Sequence, residues 1–169
     1  MLVVNDSMVL IHLAKITLLE KSCDHFGTVM IPEAVFLESV KTGKTRGFED
    51  AILIESIIKK GKITVKKIGK KEQLKKINQY NIFGGEAEAI ALYWQENADL
   101  LACDDDNVRK KKGLLDLRLA GTPSIILDLY RAKKIDREKA TLAVSGLRKI
   151  GWFSNEVMDK IMIEVEQNE

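Results

Sequence analysis

Residues 84–112, GGEAEAIALYWQENADLLACDDDNVRKKK, constrain the fold more than any other part of the chain. Two glycines open an amphipathic helix with Glu86 in its first turn. Ala87, Ile90, Ala91 and Trp94 recur at i, i+3, i+4 and i+7 and make one buried face. Asn97 ends that helix, and Leu100-Leu101-Ala102-Cys103 reads as a short, fully buried strand. The strand runs directly into Asp104-Asp105-Asp106 and then into a basic helix start, Asn107-Val108-Arg109-Lys110. In an open α/β sheet, ligands bind outside the carboxyl ends of the strands. An acidic cluster at such an end is where a hard cation is expected.

The rest of the chain repeats this alternation. Leu2-Val3-Val4 is a buried strand whose carboxyl end is Asn5-Asp6-Ser7, with a helix from Met8 for which Ser7 or Asp6 is the natural N-cap. His12, in an apolar stretch with no second His or Cys nearby, reads as a core or surface histidine rather than a ligand. After Gly27, Thr28-Val29-Met30-Ile31 is a second strand, and Pro32 suits the first position of a helix. Glu33 sits where the helix dipole favours an acid. Glu38 falls beside the apolar side of that helix, where an unpaired carboxylate is costly, so it has the stronger claim to a ligand role.

Residues 41–47 read as a polar loop. Gly43-Lys44-Thr45 is not a phosphate loop, because the earlier glycine is missing and position 38 is Glu. A helix over 48–60, a strand at Ile63-Thr64-Val65 and a lysine-rich helix or arm over 66–78 follow. A turn at 81–85 precedes the central helix. Leu114 to Leu119 reads as another strand, and Gly121-Thr122-Pro123-Ser124 as a turn, an N-cap and a helix start. Two amphipathic helices, 136–149 and 154–166, close the chain around Gly151-Trp152-Phe153. Strands alternating with helices imply a mainly parallel sheet covered on both faces.

A length of 169 residues suits one domain with a real core. The net charge of +2 conceals an uneven distribution: lysine and arginine gather in 59–76, 109–112 and 131–134. Each stretch alone is an ordinary solvated face, but several on one small domain keep a polyanionic partner in view. Cys23 and Cys103 lack metal-ligand spacing and read as reduced, buried thiols. No apolar run approaches the ~20 residues of a membrane span, and the amino terminus lacks a basic region followed by an apolar one. A cytoplasmic protein without membrane contact is expected.

Four acids occupy comparable places: Asp6 and Asp104 at strand ends, Glu38 in the helix after strand two, Glu86 at a helix start. Glu86 and Glu88 flank the buried helix face on opposite sides, so only one of them can face the strand ends. Capping and helix dipoles explain each acid singly, but not four converging. Carboxylates brought together raise each other's pKa, and a divalent cation removes that penalty. All-oxygen ligation points to Mg²⁺ or Mn²⁺ rather than Zn²⁺. Such an ion activates water and neutralises phosphoryl oxygens, the functions that phosphodiester hydrolysis uses. Arg109 and Lys110, just past the acids, are placed to hold flanking phosphates.

The segments VVNDSMVLIHLAK, IPEAVFLESV, GGEAEAIALYW, LLACDDDNVRKK and GTPSIIL, in this order and spacing, resemble a PIN domain. They are most similar to the prokaryotic branch that includes VapC-type toxins of toxin–antitoxin pairs. The resemblance covers 1–132, leaving 133–169 as C-terminal helices packed on the same domain and available for dimer or antitoxin contacts. It implies a three-layer α/β/α fold with a mainly parallel sheet and a Mg²⁺- or Mn²⁺-dependent endoribonuclease acting on RNA. It also implies a homodimer and inhibition by a small antitoxin protein. By position, Asp6, Glu38, Glu86 and Asp104 match the catalytic, metal-holding acids. Glu86 stands where many PIN domains have Asp. Asp106 is favoured over Asp105 as a further metal ligand. Ser7 and Thr122 match hydroxyl positions near the metal and join Arg109 and Lys110 as nucleic-acid contacts, although capping explains the two hydroxyls equally well. The alternative is a catalytically weak RNA-binding or regulatory module on the same fold.

Overall fold

Leu2–Asn5 forms the first strand, β1, and its alternate side chains enter two different cores. Val3 joins the aliphatic cluster on one face of the sheet, and Val4 joins the cluster on the other, as the two-residue period of a strand requires. In the computed structural model, which describes residues 1–167, β2, β4 and β5 also send side chains to both cores, whereas the edge strand β3 sends Ile63 and Val65 only to the first. The last two residues of the closing stretch 133–169 lie outside the described residues.

The elements follow in order. β1 leads to α1 (Ser7–Lys15) and α2 (Leu19–Phe26), then β2 (Thr28–Pro32) and α3 (Glu33–Phe36). α3 continues through a wider π-type turn, Leu37–Thr42, into α4 (Gly43–Thr45), followed by α5 (Glu49–Lys59). β3 (Ile63–Lys66), α6 (Lys71–Asn78), α7 (Gly84–Gln95), β4 (Leu100–Ala102) and α8 (Asp106–Lys111) come next. β5 (Leu119–Ala120), α9 (Thr122–Arg131), α10 (Arg137–Ile150) and α11 (Asn155–Gln167) complete the described chain.

All strand pairs are parallel and the sheet order is β3-β2-β1-β4-β5, with Val3 beside Val29 and Val4 beside Leu101. Side chains of α1, α2, α5, α9, α10 and α11 fill one face. Those of α6, α7 and α8 fill the other. The expected three-layer α/β/α architecture with a parallel central sheet is therefore the observed one. α10 and α11 bury Val144, Leu147, Met158, Ile161 and Val165 in the same core as β1 and β2.

Several local expectations change. The stretch 41–47 is not a loop up to Thr45 but the end of the π-type turn and α4. Gly43 allows this because a Cβ there would stand 2.7 Å from the Ala51 Cβ of α5. A helix the periodicity did not reveal, α2, bends back between α1 and β2. Pro32 caps α3 rather than opening it, and α7 begins at Gly84 with the two glycines that open it, so the turn expected over 81–85 ends before them. The strand expected over 114–119 shrinks to Leu119–Ala120. Before it, Asp116 takes a left-handed conformation (φ 50°) while Leu115 and Leu117 turn into the core under α7.

Candidate active site

The strand order reverses between β1 and β4: β2 and β3 extend the sheet to one side of β1, β4 and β5 to the other. At such a switch point the loops diverge and leave a crevice at the carboxyl edge. Asp6 follows β1 and Asp104 follows β4, so the two acids meet there.

Asp6 is 1% exposed. Its Oδ1 accepts the Val9 N–H at 2.8 Å, which caps α1, and its Oδ2 accepts the Asp104 N–H at 3.3 Å. Burial pushes its carboxyl up to about 7. The Cys103 thiol and the Val9 N–H act in the opposite direction, while the charges of Asp104 and Glu86 raise it further. Burial and the Asp6 charge push the Cys103 thiol up as well, so it stays protonated and donates to Asp6.

Asp104 is held more tightly than any other acid here. Thr122 donates to it twice, from its N–H at 2.7 Å to Oδ1 and from its hydroxyl at 2.6 Å to Oδ2. Thr122 opens α9, so its N–H has no partner within the helix and points at a negative charge on the helix axis. His12 Nδ1 donates to Oδ2 at 2.7 Å, and the His12 ring lies edge-on to Phe153 with centroids 5.5 Å apart. Three of roughly four acceptor positions on this carboxylate are thus taken by the protein.

Glu38 reaches the edge from the π-type turn. Its Oε2 accepts from the Ser7 hydroxyl at 2.9 Å and its Oε1 from the Gly85 N–H at 3.2 Å. The double glycine makes this approach possible. A Cβ on Gly85 would lie 2.5 Å from Glu38 Oε2, and Gly84 adopts φ +60°. Glu86, half-buried in the next position, has its carboxyl raised first by burial. Its own backbone N–H offsets part of that, and the charges of Glu38 and Asp105 add to it. Glu88 turns to the opposite flank, where its Oε2 accepts the Ala34 N–H at 3.0 Å at the start of α3.

The other candidates lie around this group. Asp105 caps α8 through Val108 N–H (2.8 Å) and is the acid whose charge reaches Glu86. Asp106 is exposed, with Arg109 Nε 3.9 Å from its Oδ1. The Arg109 guanidinium sits beside Asp104: Nη2 and Asp104 Oδ1 stand 3.0 and 2.9 Å from where a Gly121 Cβ would be. Lys110 is exposed on α8. The hydroxyls of Ser7 and Thr122 do not cap their helices; they hold Glu38 and Asp104.

Among the described residues, no three His, Cys, Asp or Glu side chains stand together as a ready metal cage. The reason is local: Glu38 and Asp104 have turned their oxygens to Ser7, Gly85, Thr122 and His12. The donor chemistry fits a hard cation nonetheless. The available groups are carboxylates, His12 is engaged with Asp104, and the Cys103 thiol is protonated. Two of the acids carry a cost in charge that a divalent ion would relieve.

Sequence reasoning missed His12 as the support of Asp104. The two residues are 92 positions apart, and nothing local to either reports the contact. It also gave no role to the missing side chains of Gly84 and Gly85, which admit Glu38.

Comparison with curated proteins and with solved structures gave no match. The DUF3368 family model, described as a PIN domain, matches residues 2–167 and so continues through the closing helices. A match over nearly the whole chain, carried on a parallel sheet that reverses between the two strands bearing Asp6 and Asp104, places this chain in the PIN-domain family.

Proposed function

We propose that the protein is a Mg²⁺- or Mn²⁺-dependent endoribonuclease of the cytoplasm and the toxin of a toxin–antitoxin pair. The PIN domain is a nuclease-type fold. The observation that carries the reading is the crowding of carboxylates at the switch point. Burial and mutual repulsion raise Asp6 to about 7 and shift Glu86 upward, an arrangement a bound divalent ion would stabilise.

Asp6, Glu38, Glu86 and Asp104 would hold the ion, with Asp106 at the rim. When bound, Mg²⁺ or Mn²⁺ would acidify a water and neutralise charge on the phosphoryl oxygens. The chain's own residues do the positioning. Thr122 and His12 fix the Asp104 carboxylate from three directions, so it cannot rotate away when the substrate's negative charge arrives. Ser7 and the Gly85 N–H steady Glu38. Arg109, beside Asp104, and Lys110 are exposed and supply positive charge for flanking phosphates. No protein nucleophile is needed. We read 1–132 as the PIN-like core and 133–169 as helices packed on it, with a homodimer and a small antitoxin as partners.

The near-complete use of Asp104 by protein donors favours a second reading, a catalytically weak RNA-binding or regulatory module. One experiment separates the two. A mixed pool of structured RNA is incubated with the protein in Mg²⁺, Mn²⁺ or EDTA, alongside Asp104→Asn and Asp6→Asn. A nuclease gives cleavage that requires metal and falls by roughly two orders of magnitude in each variant, the scale of losing a preorganised charged group. Binding that survives both substitutions without metal-dependent cleavage would establish the regulatory module. Equal cleavage by all three proteins would remove the nuclease reading at these acids and indicate a contaminant.

A further inference from the structure

Between the start of α9 and the start of α11 the surface sinks into a cleft of about 200 Å³. Asp104, Arg109 and Gly121 form one side, continuous with the acidic edge, and Trp152, Phe153 and Val157 form the other. The segment between α10 and α11 explains what stands there. Gly151 is extended (φ −110°, ψ 154°), and the Phe153 ring folds back across it into space that a Cβ on Gly151 would occupy. Phe153 packs on the core and against His12, the residue that holds Asp104. In extended backbone successive side chains point to opposite sides. Anchoring Phe153 inward therefore sends Trp152 outward, and it is 100% exposed.

An indole left entirely in water forgoes the burial that aromatic side chains normally contribute. Here the outward ring is held by a glycine and an anchored neighbour, at the mouth of a cleft that opens on the catalytic acids. The other tryptophan, Trp94, is half-buried and donates Nε1–H to the Leu115 carbonyl at 3.1 Å. A flat apolar face on one wall and a guanidinium on the other fit a flat ring joined to a phosphate.

We propose that Trp152 is a stacking platform for an unpaired nucleobase next to the phosphate held at the acidic edge, with Arg109 opposite that phosphate. The inference rests on the ribonuclease reading above and adds to it the kind of RNA taken. The substrate is single-stranded at this position, because a paired base offers no free face, and base identity matters little, because every base has one.

The test measures binding and cleavage of the same fluorescein-labelled, mixed-sequence single-stranded oligoribonucleotide, in Mn²⁺, by wild type, Trp152→Ala and Trp152→Phe. Thermal melts and gel filtration accompany each protein. The expected result is a Kd raised ~5- to 150-fold in Trp152→Ala, the range of one lost base stack. Trp152→Phe should retain most of the affinity, and all three proteins should melt alike. An unchanged Kd in Trp152→Ala overturns the platform, and continued cleavage then leaves the nuclease reading in place. Trp152-dependent binding without cleavage supports the platform while removing the nuclease reading. Failure of wild type to bind the strand overturns both. Self-association of wild type that Trp152→Ala abolishes, with Kd unchanged, assigns the ring to a contact between copies and also overturns the platform.

Discussion

Asp6 performs two tasks that pull against each other. As N-cap it satisfies the Val9 N–H, yet it is buried with Asp104 and Glu86 close enough to disfavour its charge. Its carboxyl titrates near 7 in the folded protein against a reference of 3.8. Between those values the folded state holds the proton more often than the unfolded state, so stability falls as pH rises from about 4 to about 7. Asp6→Asn removes the charge and keeps an acceptor for Val9, but its amide faces the Asp104 N–H less favourably. In EDTA, the variant is expected to be more stable than wild type at pH 8 by roughly 1–3 kcal/mol. The gap should close at pH 4. Denaturant melts across this range check it, and a gap independent of pH would show that the Asp6 charge carries no such cost. The capping role of Asp6 was legible in the local sequence. Its burial was not, because Cys103, Asp104 and Glu86, which reach it in the fold, lie far from it along the chain.

Whole elements are set by where glycine stands, and two positions make opposite predictions. Gly85→Ala places a Cβ 2.5 Å from Glu38 Oε2, the far end of a flexible side chain that can swing away. Stability should change by less than about 0.5 kcal/mol, whereas metal-dependent cleavage should fall by about tenfold or more, the scale of lost second-sphere support. Gly43→Ala instead drives a Cβ to 2.7 Å from the Ala51 Cβ, between two packed helices. Overpacking of that kind costs about 1–3 kcal/mol, and its effect on cleavage should follow the lost folded fraction. Paired melts and cleavage rates distinguish the cases, and a Gly85→Ala protein that cuts normally would remove Glu38 from the site. Helix periodicity located most elements within a few residues. It failed over 41–45, where polar side chains imply a loop but the buried Val40 and the close approach of α5 keep the backbone coiled.

Across the molecule, two cores lie on either side of one sheet, and α10 and α11 belong to the larger. Ending the chain at Ala132 would remove the buried side chains of Val144, Leu147, Met158, Ile161 and Val165. At 1.5–3 kcal/mol per side chain the loss is about 10 kcal/mol, comparable with the whole stability of a typical domain. Such a chain is expected to show no cooperative melt by circular dichroism. A sharp transition would instead show that residues 1–132 fold without the closing helices. The family match to residue 167 agrees with the packing in treating these helices as integral. The described residues contain no helix long and apolar enough to cross a membrane.

By itself the sequence determined what neighbours along the chain decide: strands from short apolar runs, helices from a 3.6-residue period, and the five motifs that resemble a PIN domain. It also determined that Glu86 and Glu88 face opposite ways, because their angular separation is a property of one helix. Tertiary structure alone decided that β1 and β4 lie side by side, which brings Asp6 to Asp104 across 98 residues. It alone decided between the two readings of the Ser7 and Thr122 hydroxyls, which bond Glu38 and Asp104 and do not cap their helices. It also placed His12 behind Asp104, and it left Trp152 in water while Phe153 folds back across Gly151. Contacts of this kind form between elements that a parallel sheet must separate by long crossovers, so no local pattern of residues encodes them.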